Sequence, residues 1–196
     1  CISLADMSER IQIGMTITKR QLLSILMQIY DPLGLLQPIV VPLKILLQEL
    51  VHIGGAESWD NYLEEQAMDR ARQYLGGISR VHEMKIQRCF APPSFGTPIR
   101  RELHVFCDGS ESAYGACSYL WQQDGKGQIA CSLIMARGRL CPRARALTIP
   151  RVELCGATIA TRITAIVKEE IDVNLDDIIY WTDSIAVMQL IKNTTR

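Results

Sequence analysis

Asp108, Glu153 and Asp183 are the residues of this sequence best placed to do chemistry together. Asp108 closes a run of β-forming residues (103–107) just ahead of the turn formers Gly109 and Ser110, and Asp183 closes a second such run at 178–181. Glu153 lies in the first turn of a helix opened by Pro150. If the two strands run side by side and the helix packs across their ends, the three side chains meet at one corner. Carboxylates forced together repel and titrate as a coupled set unless a cation neutralises them. An all-oxygen set suits Mg2+ or Mn2+. Two such ions about 3.5–4 Å apart would position a water and stabilise the leaving oxygen of a phosphodiester. Each acid also has a purely structural reading: Asp108 as a turn former, Glu153 as a first-turn dipole partner, Asp183 as a helix cap. Linear spacing does not choose between the two.

Other residue types narrow the chemistry. Arg137, Arg139, Arg143, Arg145 and Arg151 fall in a stretch without a single acid or lysine. They suit either phosphate contacts or a solvated loop. Seven cysteines form no Cys-x-x-Cys pair, which argues against a zinc module and a disulfide framework and for reduced, buried thiols. His52, His82 and His104 are isolated and read as structural, Ser110 and Ser184 as turn holders, and Tyr119, Trp121 and Trp181 as core aromatics. Lys19 and Arg20 read as solvated. No glycine-rich phosphate loop occurs. The formal charge is zero, but acids crowd between Glu169 and Asp177, so a neutral total leaves room for an anionic ligand on one face. With 48% hydrophobic residues the composition is globular. The longest apolar run, 39–51, is interrupted by Pro42, Lys44, Gln48 and Glu49, which excludes a membrane span there. The opening residues carry Asp6, Glu9 and Arg10 and do not look like a signal peptide. An intracellular protein is expected, and a start at Cys1 suggests a piece of a longer polypeptide.

These residues need elements to hold them, and the pattern changes near the middle of the chain. The first half reads as three helices. The first follows Thr18, which with Gln21 has capping-box spacing, and should stop at Asp31 because Pro32 follows. The second is expected to run to about residue 51 with Pro42 in its first turn, and the third from about 59 to 75. Gly76-Gly77 should end the third, and Trp59, Leu63, Ala67, Ala71 and Tyr74 form its inward stripe. A proline-rich stretch, 91–101, is the expected linker between a region 1–90 and a region 102–196. After it come strands at 103–107, 113–121 and 128–136, the last two joined through Asp124-Gly125-Lys126-Gly127. A helix then opens near Thr148 and Pro150, followed by a short buried-looking strand at 178–181 and a helix over 184–191. The order is βββαβα, an α/β mixed sheet with helices against it.

Several of these segments together resemble a known family. Leu103-His104-Val105-Phe106-Cys107-Asp108-Gly109-Ser110, with Ala113-Tyr114-Gly115-Ala116 after it, resembles the opening hairpin of ribonuclease H domains. Leu147 to Leu154 is similar to the helix that carries their catalytic glutamate, and Trp181-Thr182-Asp183-Ser184 to their third acidic motif. Ile29-Tyr30-Asp31-Pro32-Leu33-Gly34-Leu35-Leu36, with Pro38 following, resembles a segment of Pao/BEL-type retrotransposon Pol polyproteins. The resemblance implies a ribonuclease H-like sheet that stops before its last strand and helix, preceded by a small helical subdomain like a reverse-transcriptase thumb or connection. It implies Asp108, Glu153 and Asp183 as ligands of two Mg2+ or Mn2+ ions, with the five arginines beside them contacting nucleic acid. The implied substrate is an RNA–DNA hybrid whose RNA strand is hydrolysed during reverse transcription. The template–primer duplex and the rest of the Pol polyprotein are the implied partners; no membrane is involved. The family's usual fourth acid would fall beyond Arg196, and the Tyr-x-Asp-Asp polymerase motif is absent, so polymerisation is not expected. Two alternatives stand beside this: an inactive nucleic-acid-binding module of a degenerate retroelement, and an aspartic peptidase. For the latter, Asp108-Gly109-Ser110 has the wrong order.

Overall fold

The computed structural model describes residues 16–54, 58–81, 89–143 and 147–193. The chain divides into two compact units, one of residues 1–32 and 36–85, the other of 33–35 and 86–196.

Helices α1 (Lys19–Gln28), α2 (Gln37–Gly54) and α3 (Glu65–Val81) make the first unit. The capping box forms: Thr18 Oγ1 accepts from Gln21 N at 3.2 Å and Gln21 Oε1 accepts from Thr18 N at 2.9 Å. Helix α1 ends three residues before Asp31, whose carboxylate accepts the Leu36 N–H at 2.9 Å. Leu22, Leu26, Leu43, Leu46, Leu63, Ala71 and Leu75 build the core. The sequence reading needs correction at two places. Pro42 lies inside α2, not in its first turn. Helix α3 begins after Trp59 and continues through Gly76-Gly77 to Val81. Two glycines cost a helix about 1 kcal/mol each. Burial of Ala71 and Leu75 just before them, and packing of Gly77 against Ile39, outweigh that preference. Of the two cations read as solvated, Arg20 is exposed as expected and Lys19 is not. Lys19 is buried with its Nζ donating to Ser58 Oγ, and Arg20 pairs with Asp60 at 2.6 Å.

The second unit is built on β1 (Pro98–Gly109), β2 (Ala113–Asp124), β3 (Ile129–Leu140) and β4 (Asp177–Trp181), with α4 (Ile149–Glu170) and α5 (Ile185–Lys192). The sheet order is β3-β2-β1-β4, antiparallel throughout except for the parallel β1–β4 pair. The mixed sheet and the βββαβα order are those expected. The strands are longer than the sequence pattern suggested. β1 starts within the proline-rich stretch, and β3 runs on to Leu140 because its pairing with β2 continues to Ala113. Asp124 holds the β2–β3 turn. It is 1% exposed and accepts from the N–H groups of Lys126, Gln128 and Gly96. Burial alone would raise its pKa, but those three donors hold the carboxyl below its usual range.

One face of the sheet packs on α4: Leu103, Val105 and Cys107 of β1 with Ala116 and Leu120 of β2 meet Ile159, Ala160, Ile163 and Val167. The helix crosses β1 closely because of Gly156, where a Cβ would stand 2.8 Å from the Asp108 carbonyl oxygen. At the far edge, Leu33 O accepts the Ala136 N–H at 2.7 Å. Gly34 beside it has φ +78, and a Cβ there would fall 1.7 Å from Ala136 O. Strand β4, read from sequence as buried, is an edge strand whose Tyr180 and Trp181 are each 47% exposed. The expectation of buried thiols holds for Cys107 and Cys141, whereas Cys89 and Cys131 are exposed; none of the six described cysteines is in a disulfide.

Candidate active site

The parallel β1–β4 pair decides where the acids lie. Its last register pair is Phe106 with Trp181, so Asp108, still on β1, and Asp183, just past the end of β4, each follow that pair by two residues. Both are exposed. Between them Cys107 Sγ donates to Trp181 O at 3.6 Å. Burial pushes the Cys107 thiol up, a bond with Thr182 opposes this, and the negative charges of Asp108 and Asp183 raise it further. The two acids therefore act electrostatically on one thiol.

Glu153 arrives from the first turn of α4, seated one residue after the buried Val152. Thr148 is the N-cap by backbone position, but its side chain makes no capping bond. Glu153 is half-buried, and its Oε2 accepts the hydroxyl of Ser184, the residue that follows Asp183. The same Ser184 Oγ accepts from Val187 N at 3.2 Å and so caps α5. One buried hydroxyl thus ties Glu153 to the start of α5 and to the end of the chain segment bearing Asp183.

The carboxylate oxygens themselves are engaged separately. Asp108 Oδ1 accepts the Gly109 N–H at 2.6 Å, and Glu153 is held by Ser184. Among the described residues no group of three or more His, Cys, Asp or Glu side chains is gathered closely enough to hold a metal ion. As oxygen donors the three acids suit a hard cation in chemistry, but their side chains are not drawn together into a site.

The arginines divide. Arg137 and Arg139 sit on β3, opposite Ala116 and Tyr114, at the same end of the sheet as Asp108 but two strands away, about 10 Å. Both are exposed, as is Arg151 in the first turn of α4, two residues before Glu153. Arg143 follows β3, and Arg145 lies outside the described residues, as does His82.

A family model described as the Pao retrotransposon-like RNaseH-like domain matches residues 18–184. The chain belongs to that family. The match takes in both units of this RNase H-like chain and reaches the strand end that carries Asp183. No curated protein matches the chain. Among solved structures it is similar to a foamy viral protease-reverse transcriptase in complex with dsDNA, at 13% identity and a TM-score of 0.46 over 98% of this chain and 35% of that one. A second such structure, the foamy viral protease-reverse transcriptase dRH in complex with ds DNA, gives 13% and 0.47 over 95% and 29%. The chain therefore spans about a third of the solved chains it matches.

Two features of the RNase H-like unit were not visible in its sequence. Ser184 reads there as a turn holder, and its bond to Glu153 spans 31 residues. Trp181 reads as a core aromatic, yet it is half exposed and bonded to His104 across the β1–β4 pair. Nothing local could have flagged either partner.

Proposed function

We propose that this chain supplies the catalytic acids of a retrotransposon nuclease that hydrolyses the RNA strand of RNA–DNA hybrids. Membership of an RNase H-like family supports the reaction class. The observation that supports the residue assignment is the equal two-residue offset of Asp108 and Asp183 from the last β1–β4 pair, with Glu153 bonded to Ser184, the residue after Asp183. Divalent cations, Mg2+ or Mn2+, held by Asp108, Glu153 and Asp183, would supply the activated water and the stabilised leaving oxygen. The chain's own residues do the rest. Ser184 leaves one Glu153 oxygen free while fixing the other. Exposure of Asp108 and Asp183 leaves the corner open to a duplex, and Arg151, Arg137 and Arg139 can meet its phosphates. The helical unit would grip the template–primer duplex within the larger Pol polyprotein. With Lys19 buried and Arg20 paired, that grip would draw on other residues of the unit.

The test is cleavage of a labelled RNA–DNA hybrid in Mn2+, by the chain alone and within its longer reading frame. Cutting that disappears in Asp108→Asn and in chelator supports the assignment. A second reading, a binding module without catalysis, draws on the separate engagement of the carboxylates. Salt-sensitive hybrid binding with no cutting in either form would establish that reading and remove the first.

A further inference from the structure

On the face of the sheet away from α4, a line of polar contacts crosses from β1 to β4. Arg100 meets Glu102 Oε1 at 2.5 Å and lies 3.7 Å from Asp177. Glu102 Oε2 is 2.9 Å from His104 Nε2, and the Trp181 indole N–H donates to His104 Nδ1 at 3.0 Å. The two rings are inclined by only 14° with centroids 6.0 Å apart. That is the geometry of an in-plane N–H···N bond, not of face-to-face packing. The Phe106 ring lies nearly parallel to the indole with centroids 5.9 Å apart, and Tyr119 meets Phe106 edge-on.

This arrangement admits one form of the imidazole. A carboxylate at Nε2 calls for a proton there, and an indole donor at Nδ1 calls for a bare lone pair. A second proton would set N–H against N–H and remove the only acceptor the indole uses here. The charged and titratable groups facing His104 are Glu102 and Arg100 on its own strand, Tyr119 as its register partner on β2, and Asp177 on β4. Helix α4 packs on the opposite face.

We propose that His104 is a positioning residue: in its neutral Nε2–H form it clamps Trp181, the last residue of β4, and so holds the strand end that leads to Asp183 against β1. Protonation of the ring releases the indole and loosens that end. The clamp stands on its own geometry; its effect on cleavage rests on the nuclease reading above.

The experiment uses the full chain with 15N-labelled indoles, the Trp181 signal being assigned by Trp181→Phe, and follows it from about pH 8 to 5. The Trp181 indole should move in a one-proton transition, with about fivefold faster exchange with water in the acidic form. In His104→Gln the side-chain amide can accept from Trp181 and donate to Glu102, so the signal should persist and the transition vanish. A wild-type Trp181 signal that stays flat across that range overturns the proposal, as does the same transition surviving in His104→Gln. The wild-type titration needs no variant to fold. Where the hybrid is cut, His104→Gln should extend activity toward acid without changing the neutral rate. An indole that titrates in a chain that cuts nothing keeps the clamp and removes the nuclease.

Discussion

The two faces of β1 do different work with the same backbone. Leu103, Val105 and Cys107 point to α4 and are 9% exposed or less, while His104, Phe106 and Asp108 point the other way and range from partly to largely exposed. Alternation with a period of two lets one strand pack the core with its odd-numbered residues and present polar and aromatic side chains, the candidate acid Asp108 among them, with its even-numbered ones. The lesson is that a change of one residue in register would exchange the core for the site.

That contrast can be broken or sharpened by substitution, beginning with the largest effect. Asp108→Asn should lower hybrid cleavage on the order of a hundredfold or more with little loss of stability, read as rate against melting temperature. On the packed side, Ile163→Ala removes a fully buried side chain of the core between α4 and the sheet and should cost about 2–5 kcal/mol in a denaturant titration. Phe106→Ala, 42% exposed on the other face, should cost about 0.5 kcal/mol; equal losses at the two positions would erase the distinction between the faces. Gly156→Ala tests the join between them. A methyl 2.8 Å from the Asp108 carbonyl must push α4 away, at about 1–3 kcal/mol, and should also displace Glu153. Ser184→Ala should cost about 1 kcal/mol through the lost α5 cap. It should also weaken Mn2+ dependence of cleavage, and Ser184→Thr, which keeps the hydroxyl, should restore both.

Much of this was legible in the sequence, for local reasons. The capping box of Thr18 and Gln21, the Asp124 turn and the helix opened by Pro150 each follow from chemistry within a few residues. The order of elements follows from periodicity, and the placing of Asp108 and Asp183 at the ends of two strands from the turn chemistry that follows each. What failed was whatever depends on distant partners. Gly76-Gly77 looks like a stop but lies within a helix whose neighbouring turns are packed. The arginines at 137 and 139 look like a loop but belong to a strand, because β2 keeps pairing with them. Ser184 and His104 looked idle because their partners lie 31 and 77 residues away.

The residues Leu33-Gly34-Leu35 sit in sequence among helices, yet they belong with the sheet, Leu33 bonding the outer backbone of β3 at Ala136 and Gly34 lying against it. A cut at the proline-rich stretch, the obvious place to separate the halves, would strip the sheet of its own selvedge. The liberated piece would offer bare strand backbone to any neighbour, the commonest invitation to stack into aggregates. Any dissection of this chain should therefore carry the Asp31-Pro32-Leu33-Gly34 segment along with the sheet it hems.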